Sequence, residues 1–276
     1  MAYIMYRNKR YNTGKSGELY GIERVSPNVT GDTINGLPDI TKFTIPDGIA
    51  DISKSAFKSK TSLLTVKIPN SVISIGADAF SNCTGLTSIN IPDSVTTIRD
   101  SAFEGCSALT SIAMPDSVTY IGNGAFMHTY ALTNIVIPGN VTIFGNAVFV
   151  SSGLTDVVIG SGVTSIPLRT FDGCKALTNI VIPDSVTSIG AAAFDHCESL
   201  PSINIPDSVT SIGEAAFGAC ISLTSINIPN SVTSIDVRAF ENCIALTSIS
   251  IPSSVTDIRR GTFYNCRKLT DVYYSG

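Results

Sequence analysis

The residues of this 276-residue chain that could do chemistry are seven cysteines, two histidines and a row of aspartates. Cys83, Cys106, Cys174, Cys197, Cys220, Cys243 and Cys266 are separated by 23 residues in five of their six gaps. Thiols in that number invite disulfides or a zinc centre. Asp47, Asp93, Asp116, Asp184 and Asp207, with Asn70 and Asn230 as near-isosteres, form a row that could hold calcium. His128 and His196 could act as general bases or metal ligands.

The spacing weighs against each of these. Side chains that recur at one place in successive turns point the same way, and zinc needs tetrahedral convergence. Distance alone leaves bridging between neighbouring turns open, but an odd cysteine count does not suit a secreted disulfide framework. The cysteines therefore read as buried, free, small hydrophobes. The aspartate row is interrupted by Gly139, Ser161 and Ser253, and a Pro-Asp-Ser turn accounts for it, the Asx side chain bonding backbone two residues on. Neither histidine has a serine or cysteine that the spacing would place beside it, and no phosphate loop or metal-spaced histidine pair occurs. The reading is no catalytic residue, no metal and no cofactor.

The elements that position these residues are ten turns of one unit. Its proline falls at Pro46, Pro69, Pro92, Pro115 and Pro138; after one shorter step Gly160 takes the slot, then Pro183, Pro206, Pro229 and Pro252. Counting from the Ile before that proline, a unit reads Ile-Pro-Asp-Ser-Val-Thr-Ser-Ile-Gly-x-x-Ala-Phe-x-x-Cys-x-x-Leu-Thr-x-Ile-x. Such self-similarity means a solenoid, because no unit buries its apolar side alone. Leu-Thr-x-Ile-x-Ile alternates as a strand does, and Val and Ile later in the unit mark a second short extended piece. Ala-Phe-x-x-Cys-x-x-Leu has one-turn helical spacing and predicts a short helical crossover. Phe57, Phe80, Phe103, Phe126, Phe149, Phe171, Phe194, Phe217, Phe240 and Phe263 recur as a core spine. Residues 1–44 depart from the unit and carry Tyr3, Tyr6, Tyr11, Tyr20, Arg7, Lys9, Arg10 and Lys15, which predicts a cap ending in a partial turn at Ile40–Phe43. Residues 45–276 form the solenoid.

A net charge of −4 leaves no basic stripe for nucleic acid, and no apolar run reaches membrane-helix length. At the start of the chain the charges follow a very short apolar stretch, the reverse of a secretory signal; either the protein stays inside or a signal has been removed.

The unit Leu-Thr-Ser-Ile-Asn-Ile-Pro-Asp-Ser-Val-Thr-Ser-Ile-Gly-x-x-Ala-Phe resembles the BspA-type class of bacterial leucine-rich repeats over about four-fifths of the chain. The resemblance implies an α/β repeat solenoid, right-handed, with a parallel concave sheet. It also implies surface-exposed or secreted proteins of host-associated bacteria, often adhesins that bind a host or cell-surface protein or a glycan. The ending Asp271-Val-Tyr-Tyr-Ser-Gly276 resembles the point where family members run on into a closing segment.

Function is then sought where the turns differ. One solvent-facing strand position is a small polar row that includes Asn134, Asp156 and Asn179. Two residues on, the column holds Ala113, Val136, Val158 and Val181 in four central turns, against Lys67, Asn90, Asn204, Asn227, Ser250 and Tyr273 elsewhere. Apolar surface rimmed by polar groups marks a binding site, although β-branched residues also simply suit strands. The same turns carry Met127-His-Thr-Tyr130. The expectation is a non-enzymatic binding module, with Ala113, Val136, Val158, Val181, Asn134, Asp156, Asn179 and Tyr130 at the site. The alternative is an assembly element of a larger surface or phage-like particle, with weak self-association.

Overall fold

The computed structural model describes residues 39–275, together with the strand segments Tyr3–Tyr6, Lys9–Thr13, Glu18–Tyr20 and Asn28–Val29. It is a parallel-strand solenoid of about ten turns. Strands Lys42–Thr44, Thr65–Lys67, Ser88–Asn90 and Ser111–Ala113 pair in parallel, each residue with its equivalent one turn away. Asn134–Ile137, Asp156–Ile159 and Asn179–Val181 continue this wide sheet as a second group. Bridges from Asn204 to Asn227 to Ser250 follow, and Ser248–Pro252 pairs with Asp271–Ser275. In these strands the middle residue is buried and its neighbours face out, so alternation decides which side chains meet solvent. A narrower sheet of two-residue strands runs along a second side, from Asp51–Ile52 to Ile143–Phe144 and again from Ser188–Ile189 to Ser234–Ile235.

At the N-terminal end Glu18–Tyr20 joins the wide sheet in parallel, and Lys9–Thr13 and Tyr3–Tyr6 extend it antiparallel. The tyrosine and lysine side chains expected to cover the first core layer lie outside the described residues.

The α/β label is corrected: no helix occurs among the described residues. Each crossover instead holds two left-handed residues four apart, such as Asp78 (φ 55°) with Asn82 (φ 58°), or Ala192 (φ 51°) with His196 (φ 56°). Their effect is to turn alternate peptide groups toward the next turn. Phe80 N donates to Ala102 O at 2.8 Å, whereas the following Ser81 N closes back on Asp78 O at 3.0 Å. A helix would direct every N–H into its own segment. Here a neighbouring backbone one repeat away offers acceptors at hydrogen-bonding distance, and one-turn apolar spacing fits that arrangement as well as it fits a helix.

The phenylalanine spine stacks from Phe57 to Phe263 with centroids 4.9–5.8 Å apart. All seven cysteines are free, six of them buried. Each thiol donates to the phenylalanine carbonyl of the preceding turn, from Cys83 to Phe57 O at 3.0 Å through Cys266 to Phe240 O at 3.0 Å. Cysteine is missing from three turns, where Lys60, Thr129 and Ser152 take the place. Buried Thr129 donates to Phe126 O at 2.8 Å, and buried Ser152 lies 3.3 Å from Cys174 Sγ. Burial pushes the Cys83, Cys174 and Cys243 thiols up to about 12.

The turn chemistry differs in its agent. Among the described residues none of the row aspartates bonds backbone two residues on. Val95 N closes the turn on Pro92 O at 3.0 Å, and the serine Oγ of Ser94 donates to Val72 O at 2.6 Å. That serine bond recurs from Ser117, Ser185, Ser208, Ser231 and Ser254. The hydroxyl reaches a carbonyl of the previous turn, so here too contact between turns wins over local closure. The aspartates are left exposed to solvent.

Candidate functional site

On the wide sheet Val136, Val158 and Val181 stand in one register, as do Asn134, Asp156 and Asn179. The valines are 61%, 41% and 50% exposed, so all three face solvent. The polar column beside them is partly fixed. Thr155 Oγ1 donates to Asp156 Oδ2 at 2.8 Å, and Asn179 Nδ2 reaches Asp156 Oδ1 at 3.5 Å. A three-rung apolar stripe rimmed by an aligned amide–carboxylate–amide row follows.

Two predicted members stand apart from it. Ala113 is exposed and pairs with Asn90, at the last strand of the preceding group, where the hydrogen-bonded sheet is interrupted before Asn134–Ile137. Tyr130 lies in the corner leading to that strand, 60% exposed, with its hydroxyl 3.3 Å from His128 Nδ1.

The short turn falls in the next corner. Gly153 is required there, since a Cβ would stand 2.0 Å from Tyr130 O. The lost residue is thus absorbed between Ser152 and Leu154, and Phe149 stays in the spine. Depressions lie on either side of the valines. One of about 520 Å³ is lined by Lys42, Thr65, Lys67, Ser88 and Asn90; another of about 440 Å³ by Ser202, Asn204, Ser225, Asn227 and Tyr273. The face therefore changes from lysine-bearing through apolar to amide-bearing along its length.

A further cluster escaped the sequence reading. Asp172, Asp195 and His196 bring ligand atoms within 4.8 Å of one another on the crossover side. His196 Nδ1 is 3.1 Å from Asp195 Oδ1, and Arg169 Nε is 2.7 Å from Asp172 Oδ2. Burial pushes the Asp195 carboxyl above the ordinary carboxylate value. The available signal was the interval of 23 between the two aspartates, which puts them at one place in consecutive turns.

Comparison with known proteins decides the family. The model described as BspA type leucine rich repeat region matches residues 33–155 and 142–270, in six copies. This chain belongs to that family. A leucine-rich repeat protein from Bacteroides ovatus is 33% identical over 84% of the chain, with a TM-score of 0.67. The chain spans 66% of that protein's length. A Leucine Rich Repeat protein of T. pallidum is 27% identical over 69% of this chain and 87% of its own, with a TM-score of 0.58. A chain from Faecalibacterium prausnitzii described as a leucine rich cell surface protein is 27% identical, covering 100% of this chain and 95% of its own at a TM-score of 0.48. No curated protein matches. As a BspA-type repeat protein the chain falls in a family that is generally non-enzymatic, with a binding or repeat-scaffold role. No helix of the described residues is long and apolar enough to cross a membrane.

Proposed function

We propose that this BspA-type chain is a binding module that holds a protein or glycan ligand on its wide, concave sheet, centred on Val136, Val158 and Val181. The observation that carries the reading is their exposure in one register, where the flanking strands present Lys67 and Asn90 on one side and Asn204, Asn227 and Ser250 on the other. An apolar centre with a polar rim is how interfaces are commonly built. Adhesion of a bacterial cell surface to a host or neighbouring cell is the setting that the family resemblance supports. The test is Val136→Asn/Val158→Asn/Val181→Asn, which copies residues that other turns already carry. A host matrix protein is the first ligand to try, measured by surface binding. Loss of roughly 1–2 kcal/mol of affinity in a normally folded variant supports the stripe, the scale of a modest hot spot. Unchanged affinity for a ligand of the wild type rejects it and moves attention to Met127–Tyr130.

A further inference from the structure

We infer that Asp172, Asp195 and His196 form a binding site for a first-row divalent cation, with zinc the best match. Asp172 and Asp195 occupy one place in consecutive turns, and His196 follows directly on the second. All three present ligand atoms within a 4.8 Å span. Ligand atoms on one zinc ion are separated by roughly 3.3 Å, from bond lengths near 2.0–2.1 Å in a tetrahedron. The His196 Nδ1 to Asp195 Oδ1 separation of 3.1 Å already meets that spacing, and Asp172 lies within 4.8 Å of both.

Three observations separate this cluster from ordinary surface acids. Asp172 is only 9% exposed. Arg169 Nε engages its Oδ2 at 2.7 Å, while Oδ1 has no hydrogen-bond partner among the described residues. Arg169 thus holds one oxygen of an enclosed carboxylate and leaves the other free to coordinate. On the next turn Gly218 stands at the same place as the two aspartates, and a Cβ there would be 2.5 Å from Asp195 Oδ1. Glycine is the residue that leaves room for that carboxylate oxygen. Finally, the donor set is mixed. Calcium takes six to eight oxygens, whereas an imidazole nitrogen with two carboxylates suits zinc and leaves an open position for water. The other eight turns do not stack carboxylates here; they carry Lys58, Ser81, Glu104, Met127, Val150, Gly218, Glu241 and Tyr264.

The repeat supplies its own test variants. Asn82 adopts φ 58° at the place of His196, and Ser81 occupies the place of Asp195, so His196→Asn and Asp195→Ser each copy another turn. Zinc chloride is titrated calorimetrically into the whole chain near neutral pH, and thermal midpoints are read with and without the ion. The wild type is expected to take up one zinc ion at this site and to melt higher with it. Both variants should bind at least tenfold more weakly and lose the zinc-dependent rise, while His128→Asn behaves as the wild type. Calcium at the same concentration should give neither heat nor shift. Absence of zinc uptake by the wild type, wild-type uptake in either variant, or calcium binding of equal strength would each overturn the site. Ligand capture by the valine face is scored separately, with the ion absent.

Discussion

Removing three buried thiols should flatten the alkaline instability of the solenoid. Cys83, Cys174 and Cys243 rise from an ordinary 9.0 to about 12 because burial opposes the thiolate. The folded state therefore keeps these protons at pH values where the unfolded chain has released them. Their contribution to stability is complete below pH 9 and is lost as the pH climbs from 9 toward 12. At pH 10 each such thiol should cost about 1.4 kcal/mol relative to pH 8, one tenfold step in ionisation of the unfolded state. Three together amount to about 4 kcal/mol. The perturbation is Cys83→Thr/Cys174→Thr/Cys243→Thr, since Thr129 fills this place in the fourth turn with its hydroxyl bonded to Phe126 O. Urea unfolding of both proteins at pH 8 and pH 10 gives the difference, and the ionisation of lysines and tyrosines common to both cancels. A wild type that loses no more stability than the triple variant would refute the reasoning. A companion observation uses a disulfide-exchange reagent at pH 8. Native thiolate populations at Cys83, Cys174 and Cys243 should be about a thousandfold below those of free cysteine, and all seven thiols should react in denaturant without reductant.

Three further outcomes are expected. Millimolar calcium should leave the thermal midpoint unchanged, because the exposed Asp47, Asp93, Asp116, Asp184 and Asp207 belong to no converging ligand group among the described residues; a rise of several degrees would contradict this. Ala219→Asn should stabilise by about 1 kcal/mol in urea, since Ala219 sits at φ 50° where alanine is strained and where Asn242 and Asn265 occur in later turns; a loss would show that contacts outweigh the backbone. Phe171→Ala should cost about 3–5 kcal/mol, as it removes a fully buried ring stacked at 5.6 Å and 5.4 Å on its neighbours; a cost under about 1 kcal/mol would mean that the spine closes over the gap.

The period alone made most of the architecture readable. Ten phenylalanines at one place in the unit can only be a spine, and alternation in Leu-Thr-x-Ile-x-Ile marked which columns face solvent. Val136, Val158 and Val181 were legible as a stripe for the same reason. The crossover was misread because helical spacing is shared by any turn that returns its apolar residues to one side. Left-handed positions are hidden when Ala, Ser and Arg occupy them, since these residue types do not advertise positive φ. Cysteine as a hydrogen-bond donor, and serine rather than aspartate as the turn's tie, both depend on a carbonyl supplied by another turn. The Asp172–Asp195–His196 cluster was hidden because Ser and Cys, not carboxylates, were weighed as partners of the histidines.

The crossover bonds have a mechanical consequence. Phe80 N to Ala102 O, Phe103 N to Ala125 O and their equivalents run from turn to turn, as do the bonds of both sheets. Traction applied at the two ends of the molecule pulls these bonds open lengthwise, and they give way one tier at a time. Each tier that detaches releases a segment of 23 residues, about 75–80 Å of extended chain. Stretched between two anchors, the molecule would lengthen in near-equal steps at nearly constant load, and the tier closed by Gly153 would give the one shorter stride.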